Sequence, residues 1–261
     1  MHELELNLAA DYIDQSIFKD NYIFHSRSHN RENKYLAVVP RPMTYLGVEH
    51  LKLLEFPEHY FGGQILERNV TDFSPLIERK PSATFFRNDQ KMTYKQLMTL
   101  LSQAFGESNS DLHTRPYPSG GGMYSGQVIL YAKAIDGLDK GSYHFLPKSH
   151  KLERLNAKSE EVIEKHLFLG ANEKFLDYSF FILYSIMPVF TIAKYGMRGY
   201  RLSCIEIGSM YQALIMKSEK MGLRSRVWGG FNDEQLSLTL GVDPRVVWPV
   251  VCHLVGWENK E

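Results

Sequence analysis

The run Arg115-Pro116-Tyr117-Pro118-Ser119-Gly120-Gly121-Gly122 constrains the fold more than any other stretch of this chain. Two prolines fix φ on the approach, and three consecutive glycines leave the backbone bare and free to take positive φ. Directly behind lies Gln127-Val128-Ile129-Leu130-Tyr131, which reads as a buried strand. The loop therefore leads into a strand and does not open a helix. That order excludes the dinucleotide fingerprint, which needs G-x-G-x-x-G at a helix start, and the missing Gly-Lys-Ser/Thr excludes a Walker loop. A rigid approach, a backbone without Cβ atoms and a strand behind it make a shelf for a flat ligand. The N–H groups of such a turn can receive carbonyl or anionic oxygens. By composition alone, a tight connecting loop would look the same.

The surrounding patterns point to a layered α+β domain. Thr93-x-x-Gln96 has the form of a capping box, and Leu97, Leu100, Leu101 and Ala104 share one face, which predicts a helix over Thr93–Phe105 ending at Gly106. Gln127–Ile135 and Ser142–Leu146 read as strands joined through the Asp136-Gly137 and Lys140-Gly141 turns. Tyr178–Met187 is almost wholly apolar and reads as a central strand. Helices are expected over Asn156–Leu169, Leu202–Met221 and from the Asn232 cap to Leu240, with a last strand over Val246–Val255. Nearer the N-terminus, Asp14–Tyr22 fits a helix, His25–Lys34 reads as loop, and Pro40-Arg41-Pro42 breaks any regular element. Hairpin signals among the helices favour a mainly antiparallel sheet flanked by helices. Residues 1–70 differ in character from 71–261 and read as an N-terminal extension to the main domain, a possible docking region.

At 261 residues the chain can bury one sizeable core. Thirty Lys plus Arg balance thirty Asp plus Glu, so no bulk attraction to nucleic acid or anionic membrane is expected. Cys204 and Cys252 are the only cysteines, with no metal-ligand spacing and no disulfide framework. The acidic start Met1–Glu5 lacks a signal region, and no apolar run reaches the length of a membrane span. These features suggest a cytoplasmic protein.

Four further stretches carry chemistry. Lys194-Tyr195-Gly196-Met197-Arg198-Gly199-Tyr200-Arg201 packs three cations and two phenols into eight residues. If it is helical throughout, Lys194 and Arg198 share a face, and the clustered charge tunes a lysine or tyrosine for proton transfer; otherwise it is a solvated basic turn. Glu206-Ile207-Gly208-Ser209-Met210-Tyr211-Gln212 places a glycine inside a helix, where it suits a close approach to another backbone or a ligand; Gln212 can both donate and accept. Arg224-Ser225-Arg226-Val227-Trp228-Gly229-Gly230 reads as a loop whose arginines suit a phosphate. Arg79-Lys80-Pro81-Ser82 offers an arginine and a serine for a phosphate oxygen.

In this order and spacing, from about Arg79 to Gly256, these stretches together with Tyr143-His-Phe-Leu-Pro147 resemble the flavin-dependent nitroreductase-like superfamily. Within it the chain is most similar to the azoline dehydrogenases of thiazole/oxazole-modified peptide synthesis, the streptolysin S and microcin type. The resemblance implies a nitroreductase-like fold with FMN held at a homodimer interface. It assigns Arg79 and Ser82 to the phosphate or ribityl chain and Pro118, Ser119, Gly120 and Gly121 to the isoalloxazine. Gln212 would lie along the flavin, Gly229 and Gly230 would give backbone contacts, and Arg226 would reach the phosphate. Lys194 and Tyr195 match the Lys-Tyr pair those dehydrogenases use in catalysis. The chain departs from many relatives at Thr84, where they carry a second arginine, and at Ala213, where they carry asparagine. The implied activity is oxidation of peptide thiazolines and oxazolines to azoles, in complex with cyclodehydratase subunits and acting on a precursor peptide. An NAD(P)H-dependent nitro or quinone reductase, and a non-catalytic scaffold subunit, are the competing readings.

Overall fold

The computed structural model describes residues 14–29, 80–108, 114–169 and 175–258. The chain divides into two compact units. One comprises Met1–Arg31 with Pro81–Glu261; of the second, Glu32–Lys80, only Lys80 is among the described residues.

The first unit is built on a six-stranded sheet. Its strands are β2 (Gly126–Ala132), β4 (Gly141–Leu146), β5 (Lys151–Arg154), β6 (Phe180–Ile186), β7 (Arg224–Trp228) and β8 (Trp248–Gly256). Their order is β5-β4-β2-β6-β8-β7 and every neighbouring pair is antiparallel. Two short strands, β1 (Met92–Thr93) and β3 (Ile135–Asp136), pair in parallel apart from it. All seven residues of β6 are buried, because helices cover both sheet faces and alternate side chains of a strand point to opposite ones. Phe180, Ile182, Tyr184 and Ile186 enter one apolar cluster, and Phe181 and Leu183 enter the other.

The first cluster is closed by α2 (Tyr94–Phe105), α4 (Pro188–Tyr195) and α5 (Met197–Lys220). The second is closed by α3 (Glu160–Leu167) and α6 (Asp233–Thr239). The capping box at Thr93 forms as its spacing predicts: Thr93 Oγ1 accepts from the Gln96 N–H, and the Gln96 side chain accepts from the Thr93 N–H at 2.9 Å. Asn232 caps α6 by accepting from the Gln235 N–H at 3.1 Å. The α+β architecture with a mainly antiparallel sheet is therefore as the sequence implies.

Several local expectations differ from the structure. Helix α1 (Gln15–Ser28), capped by Asp14, runs through His25, where a loop was expected, because Phe18 and Tyr22 pack at 5.4 and 5.5 Å from Trp248 and His25 stacks on the same indole at 5.0 Å. The stretch around Arg226 is an edge strand, not a loop, since its backbone pairs with β8. Gly196, at φ 55 and ψ −135, separates α4 from α5, so Lys194 and Arg198 do not lie along one continuous helix. Among the described residues no helix is long and apolar enough to cross a membrane, no group of three or more His, Cys, Asp or Glu could hold a metal, and both cysteines are free.

Candidate active site

The glycine loop bends into three residues of left-handed backbone: Gly121 at φ 62, Gly122 at φ 69 and Tyr124 at φ 47. Tyrosine seldom adopts that region, so something must hold it there. Three hydrogen bonds do so: Gly122 N to Ser119 O at 3.1 Å, Met123 N to Gly120 O at 3.3 Å, and Tyr124 N to Ser119 Oγ at 2.8 Å. The Arg115 guanidinium lies 4.5 Å from the Tyr124 ring centroid, and its Nη1 donates to the Tyr117 hydroxyl at 3.2 Å. Burial pushes the Tyr117 phenol up to about 12, so it stays a neutral brace under the loop. These bonds leave the Gly120 and Gly121 N–H groups outside the loop's own hydrogen bonding.

Lys194 and Tyr195, at the end of α4, come down onto this loop. The Lys194 ammonium donates to the Gly121 carbonyl at 3.3 Å and lies 5.4 Å from the Tyr195 ring centroid. A Cβ at Gly121 would stand 2.0 Å from the Tyr195 hydroxyl and 2.9 Å from Lys194 Nζ. Gly120 faces Leu202 of α5 at 3.2 Å by the same measure. The loop and the Lys-Tyr pair, far apart in sequence, thus form one surface. Pro118 is exposed on its approach.

A second set of predicted residues assembles along β7. Arg226 Nε donates to the Ala83 carbonyl at 2.6 Å, and its guanidinium lies 4.7 Å from the Phe175 ring centroid. Arg224 donates to the Pro81 carbonyl at 2.6 Å, and Ala83 N donates to Ser225 O at 2.9 Å. Ser82 therefore sits beside the edge of β7. After the strand, Gly230 O accepts from Leu169 N at 3.0 Å. Arg79 lies outside the described residues.

Gln212 is half-buried on α5, one turn beyond Gly208. Among the described residues nothing crowds Gly208: a Cβ there would meet only Tyr211, 3.9 Å from its hydroxyl. The close helix crossing instead uses Gly199, where a Cβ would lie 2.5 Å from the Thr191 carbonyl oxygen. One residue of the site was missed in the sequence. Glu206, 1% exposed, accepts from Ser119 Oγ at 2.5 Å and from Gly126 N at 2.7 Å. The available signal was a carboxylate on the apolar stripe of α5, in line with Ser203, Ile207, Met210 and Leu214.

A model of the nitroreductase family matches residues 81–257. The chain belongs to the nitroreductase family. This member is 30% identical over 272 residues to the microcin B17-processing protein McbC of Escherichia coli, a match spanning 100% of this chain and 97% of McbC. It is also similar to a chain in the solved E. coli microcin synthetase McbBCD complex with truncated pro-MccB17 bound, with a TM-score of 0.79 at 27% identity, covering 98% of each chain. A protein assigned as a nitroreductase from Anabaena variabilis gives a TM-score of 0.60 at 22% identity over 70% of this chain and 37% of that one, a likeness of fold alone. The superfamily resemblance of the ordered motifs is thereby borne out, and it places the chain among oxidoreductases.

Proposed function

We propose that this nitroreductase-family protein oxidises thiazoline and oxazoline rings in a ribosomally made precursor peptide to thiazoles and oxazoles. The observation that carries the reading is the seating of Lys194 and Tyr195 on Gly121 of the glycine loop. Full-length similarity to a microcin-processing protein supports it. The residues fit FMN as the cofactor. The loop offers a Cβ-free backbone with two N–H groups not used within the loop, and among the described residues only Tyr211 comes near a Cβ position at Gly208.

Pro118 to Gly121 would lie against the isoalloxazine and Gln212 along it. Arg79 and Ser82 would hold the phosphate or ribityl chain, Arg226 would reach the phosphate, and Gly229 and Gly230 would give backbone contacts. Aromatisation removes a proton from the ring Cα and a hydride from the adjacent methylene. FMN, when bound, supplies the acceptor for that hydride. The chain itself handles the proton: Tyr195 as phenolate or Lys194 as neutral amine, both beside Gly121, would take it from Cα and become phenol or ammonium. The Lys194 bond to the Gly121 carbonyl orients that amine over the loop. A second copy of the chain would complete the site as a homodimer. Cyclodehydratase subunits would form the azolines, and residues 1–70 would serve in docking them.

The test is the mass of the precursor peptide after incubation with cyclodehydratase, with and without this protein. Each ring oxidised removes two hydrogens. Lys194→Ala and Tyr195→Phe should keep the bound flavin and lose azole formation. Full activity in both variants would refute the assignment of the pair.

A further inference from the structure

Helix α5 holds the two halves of this surface through side chains on one face. Glu206 reaches both ends of the glycine loop: Oε2 accepts from the Ser119 hydroxyl at 2.5 Å, and Oε1 accepts from the Gly126 N–H at 2.7 Å, where β2 begins. Ser119 Oγ in turn accepts from Tyr124 N at 2.8 Å and so holds the left-handed tyrosine. One turn earlier on the helix, buried Ser203 accepts from the Ser125 hydroxyl at 2.9 Å, lies 2.8 Å from Thr191 Oγ1 of α4, and donates to Gly199 O at 3.0 Å. Thr191 stands one turn before Lys194 and Tyr195. The loop and the helix carrying the Lys-Tyr pair are therefore both referenced to α5.

We infer that Glu206 is the positioning residue of the site: it sets the glycine loop at the height and tilt at which Gly121 meets Lys194 and Tyr195. A carboxylate suits the task because both of its partners are donors. It presents two oxygens and no hydrogen, one oxygen for the hydroxyl and one for the amide. Glutamine offers a single acceptor, so its amide nitrogen can keep the second link only by reversing it and donating to Ser119 Oγ. Leucine leaves the buried Gly126 N–H and the half-buried Ser119 hydroxyl without their acceptor, the costly outcome for a polar group away from water. At 1% exposure, Glu206 has no water to substitute for these bonds. The part of this inference that concerns the ligand rests on the flavin reading of the site; the part that concerns the loop does not.

The experiment compares full-length wild type, Glu206→Gln and Glu206→Leu. Amide hydrogen exchange is followed in the segment 119–126 and, as reference, in β6. FMN affinity is measured by fluorescence titration of the apoprotein. Glu206→Leu should speed exchange in 119–126 by about tenfold or more, the factor carried by a charge-assisted hydrogen bond. Exchange in β6 should stay at its wild-type rate. Glu206→Gln should fall between the two, and FMN affinity should weaken in the same order. Unchanged exchange in 119–126, or an equal rise in β6, would overturn the assignment. If Glu206→Leu does not fold, Ser119→Ala removes one of the two links and must speed exchange in the same segment. A wild-type protein that binds no FMN would defeat the cofactor reading while the exchange result still decides the role of Glu206.

Discussion

Gly121 and Gly122 make a matched pair for testing whether the loop serves chemistry or only connects two elements. Both have left-handed backbones, at φ 62 and φ 69, so alanine at either costs about 1–2 kcal/mol of local backbone energy. They differ in what the added methyl meets. At Gly122 no atom of the described residues lies within 4 Å. At Gly121 the methyl would stand 2.0 Å from the Tyr195 hydroxyl, where ordinary contact begins at 3.4 Å, so the hydroxyl must retreat by roughly the difference of about 1.4 Å. The end of a tyrosine side chain can move that far without unfolding anything, so stability should not distinguish the variants. Reactive geometry is less forgiving: a displacement of about 1 Å costs on the order of a hundredfold in rate. Gly122→Ala should therefore keep azole formation within a few fold of wild type. Gly121→Ala should melt with Gly122→Ala and, compared in the flavin-loaded form, lose about two orders of magnitude in single-turnover azole formation, read by precursor mass. Equal rates for the two variants would refute the claim that Tyr195 acts at Gly121.

Three other outcomes follow from the packing. Gly199→Ala would push a methyl to 2.5 Å from the Thr191 carbonyl oxygen and 2.8 Å from Ile192 N, both backbone atoms that cannot yield, and should destabilise the protein by about 2 kcal/mol in thermal or denaturant unfolding. Burial, with His29 adding to it, holds the His25 imidazole down at about 3, and burial alone holds His253 there. With an unfolded value near 6.5, the unfolded chain binds more protons between about pH 6.5 and 3, so stability is full above that window and is lost as pH falls through it. The loss is on the order of 2 kcal/mol per histidine at about pH 5; a melting temperature equal at pH 5 and pH 7.5 would contradict this, and His25→Phe should reduce the pH dependence. Thr93→Ala removes the α2 cap and should cost about 1 kcal/mol in denaturant unfolding, with azole formation intact, since the cap lies at the opposite end of α2 from Phe105, the residue that packs on Tyr117.

The elements legible in the sequence are those whose cause is local. Thr93 and Gln96 announce a helix start because their side chains satisfy the first free N–H groups of the helix itself. The apolar run through Phe180–Ile186 announces a strand covered on both faces because every side chain is buried. Strand β7 was hidden because Arg224, Ser225 and Arg226 look like a solvated loop; its extended form comes from pairing with β8, and its arginines each donate one hydrogen bond to the Pro81 and Ala83 carbonyls. The break at Gly196 was hidden for a similar reason: α4 and α5 must turn against each other to bring Thr191 onto Gly199 and Ser203.

The sequence by itself determined the bare loop from Pro118 to Gly122, most of the helices and strands, and the family motifs in their order. Each of these depends on residue type and short-range spacing. Only the tertiary structure decided that Lys194 and Tyr195 sit on Gly121, and that Glu206 faces inward to hold the loop. Those contacts join segments carried by different elements, and their geometry is set by how α5 packs against β2 and α4. Periodicity within a helix says which side is buried; it carries no information about which distant backbone that side will meet.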